Sequence, residues 1–213
     1  ALEKLKKETY DAVISDYKMP SKDGLELLKE LRQGGNNIPF VMFTGKGREE
    51  VAIKALNYGA DQYVNKTGDP ETVYCELEHA LRRTVERKKA ETALETLGEK
   101  YRRLFESAID GILINGSDGK ISSVNRAAVN ILGYGSPKDL IGKPAVELYA
   151  NPEVRARLLQ ELMENGYVKE RELTWKKGDG TLIEILASIT VQKDEKGKML
   201  RTEGIIRDVT ERK

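Results

Sequence analysis

Three short apolar runs set the strongest limit on what this chain folds into. They are Ala12-Val13-Ile14, Pro39-Phe40-Val41-Met42-Phe43 and the weaker Gln62-Tyr63-Val64-Asn65. A stretch with helical spacing separates each from the next. The first carries Leu25, Leu28 and Leu31 and stops at Gly34-Gly35; the second carries Val51, Ala52, Ala55 and Leu56, with Gly59 as its stop. Leu2 and Leu5 place one more helix ahead of the first run. Strands apolar along their whole length, alternating with helices, belong in a parallel sheet covered on both faces. Asp69-Pro70-Glu71 opens a further helix, with a capping Asp and Pro at the first helical position.

The polar residues that close the three runs are Asp16, Thr44 and Lys66. In an open parallel sheet, chemistry gathers beyond the carboxyl ends of the strands. One carboxylate, one hydroxyl and one ammonium are therefore expected to converge. That set suits phosphoryl transfer: an aspartate forms an acyl phosphate as nucleophile, and a cation with a hydroxyl holds the phosphoryl oxygens. Taken singly, each is an ordinary strand-end polar residue. Gly45-Lys46-Gly47 lacks the spacing of a nucleotide phosphate loop and reads as a plain loop.

From Gly111 the pattern changes. Ile112-Leu113-Ile114, the turn Asn115–Gly119 and Lys120–Val124 read as a β-hairpin. Short helices follow around 126–132 and 137–141. Asn151-Pro152 opens a longer helix with Val154, Leu158, Leu159, Leu162 and Met163 on one face, ended by Asn165-Gly166. Three strands come next: Glu170–Trp175; an alternating one with Ile183, Ile185, Ala187, Ile189 and Val191 on one face; and Arg201–Val209. Strands that follow strands give an antiparallel sheet with helices on one side. Between the two regions, Ala90, Leu94, Leu97, Tyr101, Leu104 and Ala108 repeat at the 4-3 spacing of a heptad seam. The seam either lies on one of the chain's own domains or forms a parallel dimeric coiled coil, the reading preferred here.

The 36 Lys and Arg against 35 Asp and Glu give no global attraction for nucleic acid or an anionic membrane. A single cysteine, Cys75, excludes an intrachain disulfide and fits a reducing compartment. No apolar run is long enough to span a bilayer, and the first residues do not look like a signal peptide. The expected location is cytoplasmic.

Tyr10-Asp11-Ala12-Val13-Ile14-Ser15-Asp16-Tyr17-Lys18-Met19-Pro20, with Asp23-Gly24, Phe43-Thr44-Gly45 and Tyr63-Val64-Asn65-Lys66, resembles the response-regulator receiver family in order and spacing. The resemblance implies a flavodoxin-like α/β fold with its first strands missing. It makes Asp16 the phosphoacceptor, Thr44 and Lys66 its phosphoryl contacts, and Thr44 and Tyr63 the switch pair. Magnesium would be held by Asp16 and the Lys18 main-chain carbonyl. The family's acidic pair is not in this sequence, so the Mg site is incomplete and phosphorylation of this stretch alone is expected to be weak or nil. Thr67 stands where the family usually has proline. Phe105–Ile112, Val124-Asn125-Arg126-Ala127-Ala128, Leu132-Gly133-Tyr134 and Gly204–Arg212, which includes Asp208-Val209-Thr210-Glu211-Arg212, resemble the PAS family, an α+β sensor domain. His-ligated haem and covalent flavin are not expected there, since the only histidine, His79, and the only cysteine lie outside it; the ligand is unknown.

The expected organisation is a receiver over 1–86, a signalling helix over 87–103 and a PAS domain over 104–213. The expected function is two-component phosphorelay signalling. A histidine kinase would be the phosphodonor, with homodimerisation through the helix, the PAS domain or the exposed receiver edge. The chain itself is expected not to be an enzyme; the alternative is the regulatory part of a hybrid histidine kinase. A phosphoaccepting His79 lacks the rest of a phosphotransfer domain around it. A haloacid-dehalogenase-like phosphatase would want an aspartate where Lys18 stands, and a DNA-binding regulator would want a recognition helix that the sequence does not show.

Overall fold

The computed structural model describes residues 2–20, 22–45 and 49–210. Two of the residues in the Gly45-Lys46-Gly47 run and the closing Glu211-Arg212 lie outside the described residues. The chain divides into two compact units, Ala1–Leu97 and Gly98–Lys213.

In the first unit, α1 (Leu2–Lys7) precedes β1 (Val13–Ser15), α2 (Gly24–Gln33), β2 (Phe40–Thr44), α3 (Glu49–Asn57), β3 (Gln62–Asn65) and the greater part of α4 (Pro70–Ser107), whose last residues, from Gly98, belong to the second unit. The strands form a parallel sheet in the order β1-β2-β3, with Val13 beside Phe40 and Val41 beside Gln62. The central strand explains the continuous apolar run: Phe40, Val41, Met42 and Thr44 are all buried. Asp23 caps α2 by accepting from the Glu26 amide, and Glu26 returns the bond to the Asp23 amide. The buried face of α2 is Leu25, Leu27, Leu28 and Leu31, packed with Phe40, Met42, Val51 and Ala55. Asp61 receives bonds from the Phe40 amide, from Arg32 at 3.4 Å and from Arg87 of α4 at 2.5 Å.

In the second unit the strands are β4 (Gly111–Gly116), β5 (Ile121–Val124), β6 (Tyr167–Lys176), β7 (Leu182–Lys193) and β8 (Met199–Asp208). They form an antiparallel sheet in the order β5-β4-β8-β7-β6. The helices α5 (Arg126–Ile131) and α6 (Pro152–Asn165) and two short 3-10 turns cover its inner face. The alternation in β7 is as expected: Ile183, Ile185, Ala187 and Ile189 are buried and Val191 packs at their margin. Two details differ from the sequence pattern. Val154 and Met163 of α6 are partly exposed, and Arg155 joins Leu158 and Leu162 on the inner stripe instead. Strand β6 begins at Tyr167, three residues before the expected Glu170, because a bulge between Val168 and Arg171 interrupts the period. Among the described residues no helix is long and apolar enough to cross a membrane.

Candidate functional site

The carboxyl ends of the parallel strands carry the three predicted residues. Asp16 is the first residue past β1, Thr44 is the last of β2, and Lys66 is the first past β3. The Lys66 ammonium donates to Asp16 Oδ2 at 2.7 Å, across 50 positions of sequence. The Lys66 amide also donates to the Thr44 carbonyl at 2.9 Å, so main-chain pairing continues to the site itself. Thr44 is buried. The ammonium lies 5.0 Å from the centre of the Phe43 ring, which adds a cation–π contact on its far side. The hydrogen bond from Lys66 holds the Asp16 carboxyl below the usual range, and partial burial opposes it. Asp16 Oδ1 accepts a long contact, 3.4 Å, from the Lys18 amide. One oxygen of the carboxylate therefore holds the Lys66 ammonium, and the other carries no charged partner among the described residues.

A close backbone crossing shapes the loop after Asp16. The Gly24 amide donates to the Tyr17 carbonyl at 2.9 Å. A Cβ on Gly24 would sit 2.3 Å from the Asp16 carbonyl oxygen, so only glycine lets the start of α2 close over the site. Ser15 is buried and donates to the same carbonyl at 3.0 Å. Sequence reasoning passed over both roles; the glycine directly after the capping Asp23 was the available signal. Tyr63 packs its ring against the core of this unit, and its buried hydroxyl has no hydrogen-bond partner among the described residues. It is thus inward and unsecured at its tip.

The fit to magnesium is partial. Asp16 and the Lys18 carbonyl belong to the loop, but among the described residues no group of three or more His, Cys, Asp or Glu could hold a metal ion. These residues do not assemble a magnesium site by themselves.

The second unit is built around Asn125, which has no exposed surface. Its Oδ1 accepts from the Ile112 amide at 2.8 Å and the Ala128 amide at 2.9 Å. Its Nδ2 donates to the carbonyls of Phe105 and Asp110, both at 3.0 Å. One side chain thus caps α5 and ties it to the end of α4 and the start of β4. Asp110 in turn holds Arg207 of β8 through two bonds, 2.9 and 2.7 Å, which lower its pKa. At the chain's far end Thr210 donates to Asp208 through both its amide and hydroxyl, at 2.9 and 2.6 Å, and accepts from the Glu184 amide. The interior between sheet and α6 leaves a cavity of about 20 Å³, lined by residues that include Leu113, Tyr149, Leu158 and Trp175. That is room for about one water. Among the described residues, Asn115 Oδ1 borders it without a hydrogen-bond partner. A small-molecule pocket commonly takes about 300–1,000 Å³.

Comparison with known proteins places two families on this framework. Residues 1–78 match the response regulator receiver domain and residues 109–211 match a PAS domain. The transcriptional regulatory protein FixJ of Azorhizobium caulinodans is 30% identical over 107 residues, 47% of this chain and 51% of that protein. The alkaline phosphatase synthesis transcriptional regulatory protein PhoP of Bacillus subtilis is 36% identical over 84 residues, 39% of this chain and 35% of PhoP. The chain thus spans about half, or less, of the length of these curated relatives. Among solved structures, the PAS domain of a protein from Colwellia psychrerythraea aligns with 54% of this chain and 98% of its own, at 24% identity and a TM-score of 0.49.

Proposed function

Because the chain carries a response-regulator receiver domain over residues 1–78 and a PAS domain over residues 109–211, we propose that it is a two-component signalling protein whose Asp16 accepts a phosphoryl group from a histidine kinase. The observation that carries this reading is the 2.7 Å pair between Lys66 and Asp16 at the carboxyl edge of the sheet. Asp16 Oδ1, the oxygen not bonded to Lys66, attacks the phosphorus of a phosphohistidine. The O–P bond forms as the P–N bond breaks, and the departing imidazole takes up a proton. The Lys66 ammonium, released from Oδ2, then pairs with a phosphoryl oxygen, and Thr44 supplies a hydroxyl to another. The Asp16 carboxyl is ionised at neutral pH, and its bond from Lys66 favours that charged form further. Tyr63, whose buried hydroxyl lacks a partner among the described residues, is the side chain that answers the change at Thr44.

The PAS domain works in this reading with a filled core, as a relay and dimerisation element rather than a holder of haem or flavin. The protein is itself a phosphoacceptor, not an enzyme, and acts in the cytoplasm. Intact mass after incubation with acetyl phosphate and magnesium tests the proposal. The chain is measured as it stands and with an N-terminal extension supplying a strand that ends in an acidic pair, each beside Asp16→Asn. One phosphoryl group on the extended form, absent from Asp16→Asn, is expected, with little or none on the unextended chain. No phosphoryl group on either form would reduce Asp16 to an ordinary strand-end residue.

A further inference from the structure

The Lys66 ammonium touches two groups. It donates to Asp16 Oδ2 at 2.7 Å and lies 5.0 Å from the centre of the Phe43 ring. A Cβ on Gly45 would sit 3.4 Å from Lys66 Cβ, so the stem of the side chain lies against that backbone and its charged head is the part with room to move. Phe40 and Met42 pack with α2, and the pleat turns Phe43, half-buried, to the opposite face of the sheet. There its ring meets that of Tyr74 on α4, with centres 6.4 Å apart and planes tilted by 49°. That spacing is within the range of a favourable aromatic pair. Asp16, Lys66, Phe43 and Tyr74 thus form a continuous line from the carboxyl edge of the sheet to the second turn of α4, all inside the first unit. The start of α4 is lightly held. Asp69 caps it by accepting from the Thr72 amide at 3.1 Å. Val73 is buried, whereas Tyr74 is 65% exposed.

We propose that this line is an output route of the receiver: the state of Asp16 sets how firmly the start of α4 is held, and the Phe43 ring carries the effect. The inference deepens the phosphoacceptor reading of Asp16 and rests on it. In the resting chain one cation is shared between a carboxylate and a ring, and its attraction for the ring helps fix where Phe43 sits. A phosphoryl group on Asp16 adds negative charge and new acceptor oxygens. The ammonium follows them and leaves the ring. Phe43 then loses the charge that positions it, Tyr74 loses a fixed neighbour, and the first two turns of α4 loosen. The path does not pass through Thr44 or Tyr63. It needs a ring at position 43 and a ring at position 74, and it works by a change in the population of a lightly held helix start.

Amide hydrogen exchange of the whole chain, read by mass spectrometry over residues 72–78, tests the route first without phosphate. Lys66→Met removes the cation and Phe43→Leu removes the ring. Each is expected to speed exchange there by about three- to tenfold, the loss of one weak ring contact. The double variant is expected to match Phe43→Leu alone, because Lys66 acts through the ring. Tyr74→Leu, at an exposed position, is expected to behave as Phe43→Leu does, and it replaces that variant if Phe43→Leu loses its circular dichroism. Unchanged exchange over 72–78 in Lys66→Met, or an equal effect of Lys66→Met when the ring is already gone, overturns the route. The N-terminally extended form is then treated with acetyl phosphate and magnesium. Added phosphoryl mass should come with faster exchange over 72–78 in the parent and with no further change in the ring variants. Added mass with unchanged exchange, or with the same change in the ring variants, overturns the route and leaves the phosphoacceptor reading standing. No added mass on the extended parent overturns both.

Discussion

Replacing Asn125 should cost the second domain much of its stability, and by an amount that its bonds set. Asn125→Ala strands two buried donors, the amides of Ile112 and Ala128, and two acceptors, the carbonyls of Phe105 and Asp110. Each orphaned buried group costs about 1–3 kcal/mol. The low end applies where a carbonyl can relax toward water, which gives a total of about 4 kcal/mol. Domains of this size have about 5–15 kcal/mol in all. Asn125→Asp is the sharper probe. It keeps both accepted bonds and the cap of α5, but sets a carboxylate oxygen against two carbonyls. That repulsion raises the folded-state pKa of the new carboxyl above its unfolded value. The penalty relative to the parent should therefore be full at neutral pH and shrink as pH falls through the raised pKa, where the protonated carboxyl can donate to one carbonyl. Urea unfolding followed by Trp175 emission, parent and variant at each pH, measures both. An Asn125→Ala change below about 1 kcal/mol, or a pH-independent penalty for Asn125→Asp, would show that the four bonds do not hold this junction together.

Three further outcomes follow from the same geometry. Gly24→Ala drives a methyl to 2.3 Å from the Asp16 carbonyl and should destabilise the receiver by about 1–3 kcal/mol by thermal denaturation, whereas Ala at exposed Gly35 would strain only the backbone; a Gly24→Ala change near zero refutes the close crossing. Lys66→Met should raise the Asp16 pKa toward the ordinary carboxylate value, read by carboxyl-carbon NMR titration, and an unchanged pKa would dismiss Lys66 as the cause. The Asp16 pKa is depressed in the fold, so the stability the pair contributes is present above the unfolded pKa and is lost as pH falls through the folded one. Arg207→Gln should likewise raise the Asp110 pKa, with the same sign of pH dependence, and an Asp110 titration identical to the parent's would rule the pairing out in solution.

The parallel sheet and its three polar termini were legible because they depend on local pattern: an apolar run between helices fixes a strand, and a strand's end fixes where its next residue stands. Asp16, Thr44 and Lys66 needed no knowledge of side-chain contacts. Gly24 and Asn125 were visible only as letters in a motif, because their reasons are non-local. The first is a close backbone approach between the loop after β1 and the start of α2, the second a set of partners 13 to 20 positions away on α4, on β4 and in the turn between them. The early start of β6 was hidden for a different cause. Val168 and Leu173 both face inward at an odd spacing, which a period of two cannot produce. Glu170, at φ 48°, takes up the extra residue. On α6, Arg155 faces inward over the Tyr149 ring, at 5.5 Å, where hydrophobicity alone would have placed Val154.

Trp175 is the chain's only tryptophan. It is buried in the second domain, 5.2 Å from the Tyr149 ring and bordering the small interior cavity. Its fluorescence therefore reports on the core of the second domain. A change in its emission when acetyl phosphate is added to the extended form, absent in Asp16→Asn, would show that phosphorylation is felt in the PAS core. The molecule thus contains its own intrinsic optical gauge of communication between its domains, and no dye has to be attached to read it.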